Sequence, residues 1–283
     1  MKTDVETTST PGIVAEQARS WLLVPGGKPE MFDPAHASPA DAVILDLEDA
    51  VTPDRKPRAR HDVVAWLGEH RRAWVRINDA TTPYWADDLD ALAGIPGLEG
   101  VMLAKTESGM QVDATAERLP EDTRVLALIE SAVGLEAAPE IARTDATFRL
   151  AFGSGDFRRD TGMDNSPLAM AYPRSRLTIA SRAARIAAPI DGPTLGTDVE
   201  ALQRDSALTL SMGMSGKLCM TIAQTAHVNA ALSPSPAEAE WARRVIADLG
   251  EDGSRVRDGS DLPTLAKAKK INALARLFHI KGH

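Results

Sequence analysis

The chain of 283 residues contains a single cysteine, Cys219, and no long run of basic or of apolar residues. One cysteine cannot form an internal disulfide, and such usage is typical of a reducing cytosol. The formal net charge is −8 and the lysines and arginines do not cluster, which argues against nucleic acid as a partner. No apolar stretch is long enough to span a bilayer, and the first twenty residues lack the basic-then-apolar order of a signal peptide. We therefore expect a soluble, cytoplasmic protein that binds neither nucleic acid nor membranes.

Two glycine-rich stretches, GGK at residues 26–28 and GSG at residues 153–155, lack the spacing of a phosphate-binding P-loop or of a dinucleotide fingerprint. The sequence also has no internal repeat and no low-complexity tract. Glycine lets the backbone approach a ligand closely, so both stretches are interpreted as turns beside a ligand. Gly155 is therefore a candidate substrate contact.

Eight apolar or β-branched segments recur along the chain and are predicted to be strands. They lie at residues 20–26, 42–48, 73–78, 100–105, 124–130, 148–154, 187–192 and 215–220, and the seventh is the weakest. Most are continuously apolar rather than alternating, which is typical of strands buried on both faces of a parallel sheet.

Segments with apolar residues at spacings of three and four separate these strands, as at residues 53–70 and 166–187, and are predicted to be amphipathic helices. Eight strands alternating with helices indicate an α/β fold, a (β/α)₈ TIM barrel, with an open doubly wound sheet as the alternative. We expect residues 1–230 to form this catalytic barrel. Residues 231–283 contain two helical segments joined by a polar loop, and they are predicted to be a C-terminal helical extension packed on its own barrel or at a subunit interface.

Charged residues stand at the carboxyl ends of the predicted strands. The set comprises Asp46, Glu48, Asp49, Arg76, Lys105, Glu130 and Asp156. In a parallel barrel these ends meet at one face, where catalytic residues lie. Five crowded carboxylates raise one another's pKa values unless a cation neutralises them. Oxygen ligands without cysteine or histidine favour Mg²⁺, with Mn²⁺ as the alternative, bound directly by Glu130 and Asp156 and surrounded by the other three acids.

Each of these residues also has a purely structural interpretation. Asp156 would cap a short turn, and Asp49 or Asp54 would cap the following helix. Arg76 would pair with a strand-end carboxylate, and Lys105 would be an exposed strand terminus. The recurrence of charge at the same end of successive strands favours the active-site interpretation for the set as a whole.

Several motifs, taken in order, resemble those of one known family. They are LLVPGGKPEMF, ADAVILDLEDAVTPDRKPRAR, VRIN, LAKTES, LIESAVGLEAAPEIA, AFGSGDF, PRSRLTIASRAARIAAPIDGP and SPSPAEAEWARRV. Together they cover nearly the whole chain and are similar to the HpcH/HpaI aldolase and citrate lyase β-subunit family, in particular to its stand-alone citrate-lyase-β-like and malyl- or citramalyl-CoA lyase members. The combination of LDLEDAV, LIE and FGSGDF is specific to this likeness.

The resemblance implies a TIM barrel that assembles as a homotrimer or a dimer of trimers and holds Mg²⁺ through Glu130 and Asp156. It implies that Arg76 faces the reacting oxygen. It also implies that Asp261, in the segment DGSDLP, reaches the neighbouring subunit's site as the proton-transfer group. The alternative for Asp261 is an ordinary helix N-cap before Pro263.

The implied activity is that of a carbon–carbon lyase, which reversibly cleaves a 3-hydroxyacyl-CoA thioester such as citramalyl-, malyl- or citryl-CoA. The products would be a 2-oxo acid and a short acyl-CoA. Lys28 and Lys56 are the candidate CoA ligands, and Lys105 is expected to hold a strand-end acid rather than to form a Schiff base. Relatives usually show Ile-His-Pro after the eighth strand, where this chain has Met220, Thr221 and Ile222.

Three alternatives stay open. A metal-dependent aldolase would act on free 2-oxo acids without CoA. A subunit of a citrate lyase complex would act on a carrier-bound thioester, although the long C-terminal extension favours a stand-alone enzyme. A non-catalytic barrel would bind metal and oxo acid without turnover.

Overall fold

The computed structural model describes residues 13–68 and 71–280. The start of the predicted barrel segment, residues 1–12, and the end of the predicted C-terminal extension, residues 281–283, lie outside the described residues. Val14–Asn229 forms one compact unit, and the residues from Ala230 onward belong to a second.

The first unit is a closed barrel of eight parallel strands in sequential order. The strands are β1 Ser20–Pro25, β2 Ala42–Asp46, β3 Ala73–Ile77, β4 Leu98–Leu103, β5 Arg124–Ile129, β6 Thr147–Phe152, β7 Ile190–Asp191 and β8 Gly216–Cys219. Strand β8 pairs with β1, from Ser20 with Lys217 to Leu22 with Cys219, which closes the sheet. The predicted TIM barrel is therefore confirmed, and the open sheet is excluded.

The predicted strand positions are close to the observed ones, with small differences at the ends. Strand β4 begins two residues earlier than predicted and β6 one residue earlier. All eight strands end one or two residues sooner than predicted, because their last predicted residues lie outside the ladder. Strand β7, the weakest prediction, contains only two residues, and a single residue pair, Ala151 with Ile190, joins it to β6.

Helices follow the strands as the apolar periodicity predicts. They are α1 Phe32–His36, α2 Lys56–Leu67, α3 Pro83–Leu92, α4 Gly109–Ala116, α5 Ala132–Ile141, α6 Ser154–Thr161, α7 Ala171–Ala184, α8 Val199–Ser211, α9 Ile222–Ala231, α10 Pro236–Leu249 and α11 Asp261–Leu277. None of these described helices combines the length and the apolar composition that a membrane span requires.

The barrel interior is built from alternate residues of each strand. Its core contains Trp21, Ala42, Ile44, Trp74, Met102, Leu126, Leu128, Ala151, Ile190 and Leu218. Side chains of a strand alternate between two faces, so the next inward residue after Ile44 is Asp46, after Trp74 is Arg76, and after Leu128 is Glu130. The pleat thus brings three charged residues to the carboxyl end of an otherwise apolar interior.

The opposite end of the barrel is closed by aromatic rings and one buried arginine. Trp21 and Trp74 meet edge to face with centroids 5.4 Å apart. The Arg149 guanidinium lies over Trp21 and donates to the carbonyl oxygens of Ala18 and Ala188 at 3.2 and 2.9 Å. Catalytic residues of such barrels lie at the carboxyl ends of the strands, and buried groups at the opposite end serve stability, so we assign Arg149 to the fold.

The second unit contains α10 and α11, which pack against each other. Helix α10 starts with a capping box, in which Ser235 and Glu238 each accept from the other's backbone N–H. The two helices bury Ala239, Ala242, Leu265 and Ala268.

Candidate active site

The carboxyl ends of the barrel strands surround a cavity of about 380 Å³. Its polar lining consists of Asp46, Asp49, Arg76, Glu130, Ser154 and Asp156, and its apolar lining includes Leu23, Leu128, Pro193, Leu195, Leu218 and Met220. Gly155 also lines it. The structure thus brings most of the predicted site residues into one pocket.

Arg76 is the central cation of this pocket. Its Nε and Nη2 atoms donate to the two oxygens of Asp46 at 2.7 and 2.6 Å, and its Nη1 lies 3.3 Å from Glu48 Oε2. Burial works against the charge of Arg76, but Asp46 and Glu48 outweigh it, so the pKa of Arg76 is raised. The guanidinium stays charged and is held in a fixed orientation by the fork-to-carboxylate geometry.

Lys105 connects the acids of the second strand end to Glu130. Its ammonium hydrogen-bonds Glu48 Oε1 and lies 3.6 Å from Asp49 Oδ1, while its backbone N–H donates to Glu130 Oε1 at 2.7 Å. The backbone of Lys105 is left-handed, with φ of 48°, which costs a non-glycine residue energy. That conformation allows one residue to contact carboxylates on both sides of the cavity.

Glu130 is buried with an incomplete set of partners. Burial, with further contributions from Glu48 and Asp156, raises the pKa of Glu130 to about 8, although Arg76 and the Lys105 N–H act in the opposite direction. Its Oε2 lies against Gly153, where an added Cβ would approach it to 2.5 Å. Only glycine at position 153 leaves room for this carboxylate, which explains one residue of the FGSGDF motif.

Asp156 is close enough to Glu130 to raise the pKa of that residue. It lies in the first turn of α6, and Gly153 is the N-cap of the helix. Its Oδ2 is buried without a hydrogen-bond partner, although the Arg159 guanidinium is 3.2 Å away. A buried carboxylate oxygen without a hydrogen bond is costly unless a cation meets it.

These observations fit a hard divalent cation. The two carboxylates supply only oxygen donors, Asp156 Oδ2 accepts no hydrogen bond, and burial disfavours ionisation of Glu130. In residues 13–68 and 71–280 no group of three or more His, Cys, Asp or Glu side chains is arranged to hold a metal. Mg²⁺ commonly uses one or two carboxylates and completes its shell with water and substrate oxygens, so Glu130 and Asp156 are a sufficient protein ligand set.

Five predicted residues do not line the cavity. Glu48 and Lys105 contact residues that do, and the other three lie elsewhere. Lys28 is exposed after β1. Lys56, the first residue of α2, is buried, and its ammonium donates to the Leu47 and Glu48 carbonyl oxygens. Asp261 belongs to the second unit, where it accepts from the Arg257 backbone N–H at 2.9 Å. The cavity lining itself comes entirely from the barrel unit.

The alternative prediction that some of these acids cap helices is wrong. The residue that precedes α2 is Arg55, so neither Asp49 nor Asp54 caps that helix. Asp261 is the first residue within α11, after Ser260, and no side chain caps this helix end. Asp156 likewise lies inside its helix rather than at the cap.

The apolar side of the cavity was largely missed by the sequence analysis. Pro193 and Leu195 come from the loop after β7, and Leu195 is 69% exposed. Two side chains hold the backbone of this loop: Lys217 Nζ donates to the Gly192 carbonyl and Gln224 Nε2 donates to the Thr194 carbonyl. The only available signal was the loop's position after a strand end, since residues 192–197 carry no charge.

The family model for HpcH/HpaI aldolase/citrate lyase matches residues 19–221, and the model for the HpcH/HpaI aldolase C-terminal domain matches residues 237–279. A citrate lyase subunit beta-like protein of Mycobacterium tuberculosis is 37% identical over 263 residues, which cover 89% of this chain and 93% of that protein. A (3S)-malyl-CoA thioesterase of Cereibacter sphaeroides is 33% identical over 280 residues, covering 92% and 97%.

Among solved structures, protein CitE of Mycobacterium tuberculosis is similar with a TM-score of 0.78 at 34% sequence identity. The match covers 92% of this chain and 99% of that one. That structure is a complex with magnesium, acetoacetate and coenzyme A.

Proposed function

The chain belongs to the HpcH/HpaI aldolase/citrate lyase family of lyase-type enzymes, and on this premise we propose that it is an Mg²⁺-dependent carbon–carbon lyase acting on a 3-hydroxyacyl-CoA thioester. Citramalyl-, malyl- and citryl-CoA are the candidate substrates, and the products would be a 2-oxo acid and a short acyl-CoA. One observation carries the proposal: the buried carboxylate of Glu130 and the half-buried carboxylate of Asp156, whose Oδ2 accepts no hydrogen bond, share a cavity with the oriented guanidinium of Arg76. The magnesium and coenzyme A bound by the similar CitE structure agree with this assignment.

Glu130 and Asp156 would hold the Mg²⁺ ion, which supplies Lewis-acid polarisation of the substrate's carboxylate and adjacent hydroxyl when it is bound. In the cleavage direction the hydroxyl proton passes to solvent as the bond to the acyl α-carbon breaks. The oxygen becomes the carbonyl of the 2-oxo acid, and the electron pair passes to the acyl thioester as an enolate, which Asp261 would protonate at carbon to give the acyl-CoA.

The residues of this chain contribute orientation and charge. Arg76 is placed to stabilise the negative charge that develops on the reacting oxygen, because its guanidinium is fixed by Asp46 before the substrate arrives. Lys105 holds Glu48 and donates its backbone N–H to Glu130, so that it orients both sides of the pocket without forming a covalent bond to the substrate. Lys28, exposed after β1, is a proposed contact for the phosphates of CoA.

The products of the reaction test this function. The protein is incubated with citramalyl-, malyl- or citryl-CoA in Mg²⁺ or in EDTA, and the oxo acid is detected as its phenylhydrazone while free thiol is titrated separately. A lyase releases oxo acid with the thioester intact and only when Mg²⁺ is present. Absence of oxo acid with all three substrates would contradict the proposal.

Thioester hydrolysis is a second candidate function, because a (3S)-malyl-CoA thioesterase matches 92% of the chain. Hydrolysis releases one free thiol per turnover and no oxo acid, so the same assay separates the two reactions. An aldolase acting on free oxo acids would instead turn over a 4-hydroxy-2-oxo acid and show no thermal shift with CoA.

Replacement of Asp261 by asparagine tests the proposed proton transfer. If Asp261 protonates the enolate carbon from a neighbouring subunit of a homotrimer, Asp261→Asn lowers kcat about 10²- to 10⁴-fold, the range typical of general acid–base groups, and leaves Mg²⁺ affinity unchanged. Asp258→Asn is the matched control, since Asp258 is an exposed acid three residues earlier. Turnover unchanged in Asp261→Asn, or a monomer by light scattering, would remove Asp261 from the mechanism.

A further inference from the structure

The segment Asp46 to Asp49, here called the acidic loop, carries three of the acids at the cavity. Asp46 and Glu48 pair with Arg76, and Glu48 also pairs with Lys105. The loop follows β2 and belongs to no helix or strand after Asp46. Its side chains can meet their cations only if its backbone is fixed by other parts of the protein.

Lys56 supplies much of that fixation. Its ammonium donates to the carbonyl oxygens of Leu47 at 2.8 Å and of Glu48 at 2.9 Å, and it lies 5.3 Å from the centre of the Tyr84 ring. The side chain is 7% exposed, and none of the ion pairs in the described part of the chain involves it. A buried cation that forms no direct ion pair is costly, so its hydrogen bonds to the acidic loop are its main compensation.

Asn78 holds the same carbonyl from a second direction. Its Nδ2 donates to the Leu47 oxygen at 3.0 Å and to Asp88 Oδ2 at 2.6 Å. Asp88 is fully buried and accepts from Arg60 Nε at 2.8 Å. The Leu47 N–H in turn donates to the Arg76 carbonyl at 2.9 Å, so the backbone N–H and the backbone carbonyl of Leu47 are both hydrogen-bonded.

We propose that Lys56 and Asn78, supported by Asp88 and Arg60, are positioning residues that hold the acidic loop so that Asp46 meets Arg76 and Glu48 meets Lys105. None of the four lines the cavity, so each acts on the reaction through the loop. In this role Lys56, the first residue of the KPRAR segment, holds the acidic loop rather than the phosphates of CoA, for which it was a candidate ligand. The inference rests on the proposed lyase function for its kinetic test, and has a separate structural test.

The kinetic test uses Lys56→Met, which keeps the length and apolar stem of the side chain and removes the ammonium. Residues that orient catalytic ligands typically contribute about 10- to 100-fold, so we expect kcat to fall by that factor with KM for the CoA thioester near the wild-type value. The loss should be the same for the CoA thioester and for its N-acetylcysteamine analogue, which lacks the nucleotide. Arg58→Met is the matched control, because Arg58 is on the same helix and 78% exposed.

Two kinetic outcomes would overturn the inference. A raised KM for the CoA thioester alone, with unchanged kcat, assigns Lys56 to CoA binding. A lower melting temperature with unchanged kcat assigns it to stability only. If Lys56→Met does not fold, Asp88→Asn carries the same test from one residue further away, because Asp88 acts on the loop through Asn78, with an expected loss of roughly 10-fold in kcat.

Hydrogen exchange gives a readout that does not need turnover. In Lys56→Met the amides of Leu47 and Glu48 should lose protection relative to wild type and to Arg58→Met, while amides of β5 and β6 keep theirs. If the wild-type protein shows no lyase activity, the proposed function fails, and this local loss alone supports the positioning role. Protection at the acidic loop equal to that of Arg58→Met would overturn it.

Discussion

Glu130→Gln should lower Mg²⁺-dependent turnover by at least about 10³-fold and, in EDTA at pH 8, make the protein more stable than wild type. The first effect follows because a neutral amide at this position is a poor ligand for a hard cation, and loss of the ion removes several kcal/mol of charge stabilisation. The measurements are kcat as a function of Mg²⁺ concentration and calorimetric titration of Mg²⁺.

The stability effect has a definite sign. Burial raises the pKa of Glu130 from its ordinary 4.5 to about 8, so the unfolded state binds fewer protons than the folded state between these two values. The stability of the metal-free protein therefore falls as the pH rises through that window. Glutamine does not ionise, so the variant lacks this loss, which is on the order of 1–4 kcal/mol at pH 8.

The control for both effects is Glu136→Gln on α5, since the Glu136 side chain is 65% exposed and contacts Arg176. This variant should keep both wild-type turnover and the wild-type dependence of stability on pH. Added Mg²⁺ should stabilise wild type and Glu136→Gln but not Glu130→Gln, because only a bound ligand shifts the unfolding equilibrium. Equal Mg²⁺ stabilisation of all three proteins would show that Glu130 is not a metal ligand.

Arg76→Lys should lower kcat by about 10²- to 10³-fold, the usual cost of removing one donor that stabilises developing charge on oxygen. Lysine keeps the positive charge but cannot form the two parallel hydrogen bonds that now join Arg76 to Asp46. The cation would then be neither fixed nor correctly aimed before the substrate binds. Initial rates over a range of substrate concentrations measure the effect.

The ratio of the kinetic constants identifies the step that Arg76 serves. If its interaction forms mainly in the transition state, kcat and kcat/KM fall together, whereas a rise in KM alone would assign Arg76 to substrate binding. Arg72→Lys is the matched control, because Arg72 forms an exposed pair with Glu99 that contributes little. Turnover of Arg76→Lys within threefold of wild type would contradict the proposed charge stabilisation.

The barrel was predictable because its signal is local. Continuous apolar segments at β1 to β6 and β8 are long enough to identify buried parallel strands, and their order leaves few topologies. Strand β7 was weakly predicted for a physical reason: only Ile190 and Asp191 are in the ladder, so the apolar signal of this segment is short. The family resemblance read from the motifs is confirmed by the matches over residues 19–221 and 237–279.

The cavity itself was partly predictable from the same pattern. Asp46, Arg76 and Glu130 end strands, and the two-residue repeat of a strand directs them to the face that Ile44, Trp74 and Leu128 occupy. That argument needs no knowledge of tertiary contacts. It fails for Leu195, which lies on a loop with no repeat and no charge to reveal it.

The sequence by itself determined the strands and the meeting of charged strand ends at one face, because these depend on hydrophobic period and on parallel geometry. Only the tertiary structure decided that β8 pairs with β1 to close the barrel, and how the charges are paired and held. The Lys56 ammonium turns to the carbonyls of the acidic loop, the Lys105 backbone takes a left-handed conformation towards Glu130, and Arg149 closes the far end of the barrel. Each of these depends on which distant groups surround a side chain once water has been excluded, and no local pattern encodes that.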